Sequence, residues 1–253
     1  MIKNPFLMIM LTVHMLNLCA QDKYAFSNKI FNIQIMYNYH IPAGDMAKSY
    51  GNFNSVGVGG LFKTKKNWMY ALEVNYLFGH ELKDLNILNS MVNGGGYIAT
   101  ASGAPANYAV NMRGYEGFIK AGHLFAFNKY NMNCGLMVLG GIGILQHRIN
   151  FQIPSTDPVP SLDENYRKGY DRLTYGLALN EFVGYYFHSR NRFINFYLGV
   201  DLVQGFNENK RAYNYDKMAY DKGAKYDYIT SFRFGWLIPV YLNTKDENEF
   251  QFR

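Results

Sequence analysis

The amino-acid sequence predicts an all-β protein, an antiparallel barrel of eight strands. The first observation is composition: 49% of the 253 residues are hydrophobic and 17% charged, with 22 Tyr, 19 Phe and 24 Gly against seven Pro. Such a composition favours strands joined by turns. The second observation is a recurring two-residue alternation of apolar and polar side chains, and the third is a regular alternation of short and long connections.

The N-terminus has the features of a secretory signal peptide. Lys3 gives it a basic start, and the mostly apolar stretch Phe6 to Leu18 is too short to span a membrane as a helix. Ala20 is a small residue at a plausible cleavage point. We therefore expect residues 1–20 to be removed and residues 21–253 to form one domain.

The two cysteines of the chain agree with export without a disulfide. Cys19 lies in the predicted leader, so the mature chain retains only Cys134 and forms no internal pair. Acylation of Cys19 is an alternative fate, although Leu18 stands where a lipoprotein signal has a small residue. Without disulfides, an exported chain of this size requires an extensive hydrogen-bonded framework or a large core, and a closed barrel supplies the framework.

Eight segments are predicted to be strands. Four show the alternation clearly: Phe31 to His40, Trp68 to Gly79, Ile194 to Val203 and Tyr228 to Ile238. Each has one apolar and one polar face because side chains alternate along a strand. The alternation near Glu181 loses its phase, which predicts a β-bulge there. The weaker segments are Asn54 to Lys63, Arg113 to Phe127, Met132 to Ile149 and Leu173 to Tyr186.

The connections alternate between two lengths. Short turns at one end and long loops at the other are typical of outer-membrane barrels, whose turns are periplasmic and whose loops are extracellular. Closure into a barrel follows because an unpaired backbone group in hydrocarbon costs several kcal/mol. The short turns are residues 64–67, 128–131 and 188–191, and the long loops are residues 41–53, 80–109, 150–171 and 207–226.

Charged residues on the polar faces favour an outer-membrane barrel over a soluble β-sandwich or lipocalin-like barrel, whose apolar faces point inward. In a membrane barrel the apolar faces point to lipid, and the charges pair inside a lumen narrow enough to be filled by side chains. We expect such a lumen charge network, which makes a plug and not a pore, at Glu73, Glu116, Lys120, Asp201 and Arg233.

Catalytic and metal-binding patterns are weak. His188-Ser189 falls in a short turn, while His147 and Asp171 flank the third long loop and are the remaining candidate for a protease-like pair. The histidines lack metal-ligand spacing. We therefore expect no enzymatic activity, no cofactor and no metal. The net charge of +6 is too modest to indicate a nucleic-acid partner.

The short turns and their flanks contain basic residues and no acidic ones. This basic rim either faces lipid headgroups or docks an acidic periplasmic partner that is attracted by charge. The long loops are rich in Asn, Tyr and Asp, and they either bind a partner or shield the rim. The basic residues are Lys63, Lys65, Lys66, Lys129, Arg190 and Arg192.

Six stretches of the mature chain carry a family resemblance: Gln146 to Ile149, Val159-Pro160, Lys168 to Thr174, Glu181 to Tyr185, Ile194 to Tyr197 and Arg233 to Pro239. Through these stretches, most of the mature chain resembles the PorG-like outer-membrane proteins of the type IX secretion system of Bacteroidetes. The tail Leu242 to Arg253 departs from a terminal strand with an aromatic last residue, since Arg253 follows Phe252.

The resemblance implies a role in protein transport and gliding motility. A protein of this family is expected to be a monomeric barrel that anchors a periplasmic ring, made of a lipoprotein and a ring subunit, to the outer membrane. The basic turns are then the natural docking face. The alternative is a small surface barrel of the OmpA/OmpX kind that acts in adhesion or ligand binding through its long loops. Either barrel also contacts outer-membrane lipids and lipopolysaccharide.

Overall fold

The chain forms a closed barrel of eight antiparallel strands in sequential order, with β8 pairing with β1. The computed structural model describes residues 29–127, 132–154, 157–189, 193–211, 213–216, 218–221 and 223–240. The predicted leader, Cys19 and the tail Leu242 to Arg253 lie outside these ranges. The predicted fold class is confirmed. The strands are β1 (Ile30–Gly44), β2 (Phe53–Lys63), β3 (Trp68–Gly79), β4 (Ala109–Ala126), β5 (Gly135–Gln152), β6 (Thr174–His188), β7 (Asn195–Asn209) and β8 (Ala224–Val240).

The strands are staggered around the barrel. Following the paired residues from Gln34 through all eight strands leads back to β1 at Gly44, ten residues further along. Such a stagger tilts the strands by roughly 40° from the barrel axis. A barrel of eight strands at this tilt has an interior just wide enough for its own side chains.

The two faces of each strand are oriented as the membrane interpretation requires. On β3, Tyr70, Leu72 and Val74 are exposed, whereas the intervening Glu73 and Asn75 are buried. The same division holds on the other strands, where the most exposed outward side chains include Leu177 at 71% and Ile142 at 67%. The apolar faces therefore form the outer wall, and the polar faces line the interior.

The outer wall has the height of a bilayer core. On β4 it extends over the eleven residues from Tyr115 to Phe125, which at a tilt of about 40° span roughly 25 Å. Aromatic side chains concentrate at both edges, where membrane barrels have their interfacial girdles. Exposed examples are Tyr37, Tyr76, Tyr175 and Tyr228 towards the long loops, and Trp68, Phe193 and Trp236 towards the short turns.

The predicted bulge at Glu181 is wrong. β6 pairs continuously with both of its neighbours, and Glu181 lies opposite Gly140 of β5 and Leu202 of β7. The side chain of Glu181 is exposed on the outer wall. The loss of phase in the sequence thus reflects a charged residue on an apolar face, and no residue is inserted.

Five strands extend by three residues or more beyond their predicted ends on the side of the long loops, among them β1, which ends at Gly44. β4 begins at Ala109 and β8 at Ala224, while β5 ends at Gln152 and β7 at Asn209. These extensions depart from the alternation from which strands were predicted, because on β5 the buried inward residue is Phe151 while the outward residues are Asn150 and Gln152. The ladder of backbone hydrogen bonds therefore continues above the apolar wall.

The long loops fold together over the end of the barrel, and we call this assembly the cap. It contains short helices at Met46–Ser49 and Glu164–Arg167 and 3₁₀ turns at Leu85–Met91 and Pro160–Leu162. Among the described residues, no helix has the length and apolarity needed to cross a membrane. Buried residues of the cap share a core with inward side chains of the strands: Met46, Tyr50, Ile87, Leu88, Ile98, Val159, Leu162 and Tyr170.

Candidate functional site

The centre of the lumen contains a network of buried ion pairs. Arg233 donates from Nη1 to both carboxylate oxygens of Glu73, at 2.7 and 2.8 Å, and its Nη2 pairs with Asp201. Lys120 pairs with Glu73 and lies 3.5 Å from Asp201. All four residues are at most 2% exposed. The structure thus brings four of the five predicted lumen residues into one connected cluster.

The fifth predicted lumen residue, Glu116, lies beside this cluster. Its Oε1 accepts a hydrogen bond of 3.1 Å from Nδ2 of Asn75, and within the described part of the chain it forms no ion pair of its own. The polar row continues with Asn38, which donates to Ser55 Oγ at 2.7 Å. His40 lies between Ser231 Oγ, at 2.6 Å, and Ser55 Oγ, at 2.8 Å. These contacts satisfy part of the buried polar groups of the lumen, while Glu116 Oε2 and Asn38 Oδ1 have no hydrogen-bond partner among the described residues.

Apolar layers close the lumen on both sides of the ion pairs. Towards the long loops, Leu77, Met112 and Leu145 pack under the cap. Towards the short turns, a second core fills the barrel, with its members buried among one another. Close packing of this kind leaves little room for solutes. The members of the second core are Met36, Leu61, Met69, Ala71, Leu124, Met137, Leu139, Phe182, Tyr186, Tyr197 and Leu237.

Ion pairs connect the loops of the cap. Arg172 lies 2.9 Å from Asp84 Oδ2 and also pairs with Asp216, so it joins three loops. Arg211 donates to both carboxylate oxygens of Asp171, at 2.8 and 2.5 Å. Hydrogen bonding to Asp171 raises the pKa of Arg211 above its usual value. The cap is therefore an ordered structure held by bidentate and bridging charge pairs.

The first loop is tied to β8 by Asp45. Its carboxylate accepts hydrogen bonds from Lys48 Nζ at 2.7 Å and from the backbone N–H of Tyr226 at 2.9 Å. The hydrogen bond from Lys48, followed by that from Tyr226, lowers the pKa of Asp45. The carboxylate consequently stays ionised at neutral pH, which preserves both contacts.

His147 and Asp171, the weak candidate for a protease-like pair, do not pair with each other. His147 Nε2 lies 3.0 Å from Asp227 Oδ2, and its Nδ1 lies 3.4 Å from the Tyr50 hydroxyl. Asp171 is occupied by Arg211 instead. The other candidate, Ser189, donates its backbone N–H to Asn195 Oδ1 at 2.7 Å. Within the described ranges, no three His, Cys, Asp or Glu residues cluster as metal ligands.

The basic turn residues occupy different positions. Lys65 and Lys66 are exposed at the tip of the turn between β2 and β3. Lys63 departs from the predicted rim, because it is buried and its Nζ donates to Asn133 Oδ1 at 2.9 Å inside the mouth of the barrel. The ladder explains this position, since Lys63 shares the inward phase of Leu61. Lys129, Arg190 and Arg192 lie outside the described residues.

Two arginines on the outer wall were missed in the sequence analysis. Arg113 of β4 and Arg148 of β5 pair directly across the ladder and share the outward phase of Tyr115 and Ile144. They stand one step above the aromatic edge, towards the long loops. Like charges directly opposite one another are unfavourable without a counter-charge. The sequence did contain a signal for them, because both arginines share the phase of the outward apolar residues of their strands.

The central arginine is expected to be essential to barrel stability. Replacement Arg233→Leu leaves the buried carboxylates of Glu73 and Asp201 without their shared partner, so the free energy of unfolding should fall by about 3–5 kcal/mol. Chemical denaturation of the barrel in lipid vesicles measures this. The control Lys48→Gln removes an exposed charge and should change stability by about 0.5 kcal/mol or less. Equal effects of the two variants would contradict the stabilising role of the network.

Comparison with known proteins gives remote likenesses only. No family model matches the chain, and no curated protein matches it significantly. Ail of Yersinia pestis, solved with the heparin analogue sucrose octasulfate, is similar at 12% identity over 84% of this chain and 99% of that one, with a TM-score of 0.40. Neisserial surface protein A shares 8% identity over 82% and 96% of the two chains, with a TM-score of 0.42.

A third solved structure shows the same level of likeness. OprG of Pseudomonas aeruginosa, an outer-membrane protein, is 10% identical over 86% of this chain and 99% of that one, with a TM-score of 0.34. Likenesses this remote assign no function. The barrel assignment accordingly rests on the strand pairing of this chain itself.

Proposed function

We propose that the chain is an outer-membrane barrel that acts as a sealed, non-enzymatic membrane anchor. One observation supports this above all: the ionised side chains lie inside while an apolar wall of roughly 25 Å faces outward. Soluble monomers rarely expose a contiguous apolar surface larger than a few hundred Å². The lumen is filled by ion pairs between two apolar layers, so the ends of the barrel and its wall are left to carry the function.

The finer proposal is that the short-turn end docks a periplasmic ring of the type IX secretion and gliding machinery. The resemblance of most of the chain to the PorG-like proteins supports it. The exposed position of Lys65 and Lys66 supports it further, because unburied cations are available for long-range attraction of an acidic partner. Lys63 is left out of the docking face, since it is buried.

Charge reversal tests the docking face. Replacement of Lys65, Lys66, Arg190 and Arg192 together by Glu should abolish co-purification with the ring lipoprotein and ring subunit, because attraction becomes repulsion. The matched control reverses exposed lysines of the opposite end, Lys48, Lys168 and Lys210, and should leave co-purification unchanged. Recovery of the ring by the first variant, with the barrel folded, would refute docking at the turns.

The wall also bears a candidate site for the phosphates of lipopolysaccharide. Arg113 and Arg148 face outward just above Tyr115 and Gln146, the level at which the headgroups of the outer leaflet begin. Arg148 makes no hydrogen bond or ion pair with a described residue, and Arg113 donates only to the backbone carbonyl of Met112, at 3.0 Å. Paired guanidinium groups match phosphate in charge and geometry.

Lipid binding by these arginines is measurable with the purified barrel. The double variant Arg113→Gln and Arg148→Gln should bind phosphorylated lipid A at least ~10-fold more weakly than the natural chain, since each charge-assisted bond contributes about 1.5–3 kcal/mol. Dephosphorylated lipid A should bind both proteins alike. If the variant prefers phosphorylated over dephosphorylated lipid A as strongly as the natural chain does, phosphate recognition is not located at these two arginines.

Adhesion through the cap is the second candidate function. The ion pairs of Arg172 and Arg211 hold the loops in an ordered surface, and ordered aromatic side chains bind partners at a small cost in entropy. Several tyrosines of the cap are exposed: Tyr97, Tyr108, Tyr166, Tyr215 and Tyr220.

Shortening the second long loop separates the two functions. Replacement of residues 94–106 by a short Gly-Ser linker should remove adhesion of protein-displaying cells and leave type IX secretion intact, if the cap carries the function. The opposite result, with adhesion retained, would count against the surface-binding role. Because Ile98 belongs to the buried core, the control is Ile98→Ala, which loosens the core while keeping the loop surface.

A further inference from the structure

Glu181 stands halfway up the outer wall of the barrel. It lies six residues from Tyr175 and six from Phe187, which share its side-chain phase near the two ends of β6. Its neighbours on the same face of β6, Leu179 and Val183, are apolar and exposed. The carboxylate therefore faces the middle of the apolar band, far from either aromatic edge.

Glu181 differs from the lumen acids in its surroundings. Glu73 and Asp201 are compensated by Arg233 and Lys120, whereas Glu181 forms no hydrogen bond or ion pair with any described residue. A charged group that faces hydrocarbon is unfavourable, and ionisable residues within membranes accordingly mark sites of function. Glu181 thus makes no stabilising polar contact within the described part of the barrel, and its charge requires a partner from outside.

The outer wall beside Glu181 carries only small side chains on the two neighbouring strands β5 and β4. Gly140 lies directly opposite on β5, and Ala121 lies opposite Gly140 on β4. A Cβ atom placed on Gly140 would meet no other atom within 4 Å. Glu181, Gly140 and Ala121 together form a shallow strip across three strands, which we call the small-residue strip. Small residues let a neighbouring segment approach closely within a membrane.

The charge of the strip selects its occupant. A second copy of the chain related by a two-fold axis brings Glu181 against Glu181, which is repulsive. The described outward residues at this depth include no Lys or Arg, and Arg148 lies eight residues above Gly140, roughly 20 Å away at the strand tilt. A cation from another protein is the complement that remains.

We propose that the small-residue strip is an intramembrane docking site for a spanning segment of a different outer-membrane protein, one that places a Lys or Arg side chain opposite Glu181. The close approach at Gly140 brings the two charges into contact in a medium of low dielectric constant, where an ion pair is strong. The inference goes beyond the anchoring role and rests only on its membrane placement.

Site-directed photo-crosslinking in intact cells tests the proposal. A benzophenone side chain at Ile142, 67% exposed beside the strip, should form an adduct with another outer-membrane protein; at Val58, 62% exposed on the distant β2, it should label lipid only. The cross-linked peptide should be a spanning segment that contains Lys or Arg. A peptide without a cation, an adduct with a second copy, or equal labelling at both positions would overturn the proposal.

Two substitutions test the strip itself. Glu181→Leu, which removes the charge, and Gly140→Leu, which fills the space, should each reduce the Ile142 adduct at least ~10-fold, while Glu181→Asp should largely retain it. An undiminished adduct in Glu181→Leu would overturn the proposal. Lipid adducts at Val58 in the same cells verify the membrane placement, so that loss of the docking site is distinguished from failure of membrane insertion.

The stability of the purified barrel distinguishes a docking role of Glu181 from a role in stabilising the barrel. In vesicles without other proteins, Glu181→Leu should unfold at the same or a higher denaturant concentration than the natural chain, because a group that faces lipid loses its charge. A lower midpoint would show that Glu181 serves the barrel and would overturn the proposal.

Discussion

Closure of the hydrogen-bonded ring is the constraint on which the rest of this structure depends. Once β8 pairs with β1, every backbone group of the wall finds a partner, and a chain with no disulfide among its described residues can remain intact in hydrocarbon. Closure also divides the side chains without exception into an inner and an outer set, because the side-chain period along a strand is two. Polar residues assigned to the inner set cannot reach water and must satisfy one another.

The narrowness of the ring then determines what the molecule can do. An eight-stranded barrel with a stagger of ten residues leaves room only for its own side chains. Arg233 and Lys120 share the carboxylates of Glu73 and Asp201, and apolar layers above and below exclude water and so strengthen those pairs. A lumen packed in this way has little room for solutes, and the proposals accordingly place partners at the two ends and on the outer wall.

The sequence was sufficient to predict the structure wherever the two-residue alternation of a strand was maintained. It located all eight strands, their apolar and polar faces and the residues of the lumen charge network, because burial on one face imposes an alternation that is visible in the chain. It could not specify tertiary contacts: it did not identify Asp227 as the partner of His147, and it placed Lys63 on the exposed rim although Lys63 turns into the barrel mouth. Neither contact is encoded by spacing, since the partners come from distant strands and loops.

The most informative failure concerns β6. The loss of alternation near Glu181 predicted a bulge, because an inserted residue shifts the phase of the side chains that follow it. The continuous pairing of Glu181 with Gly140 and Leu202 shows that the chain tolerates the mismatch instead. Violations of the pattern of a fold that lack a compensating contact are expected at functional sites. This expectation supports the proposal that the wall of the barrel, and not only its two ends, contacts a partner.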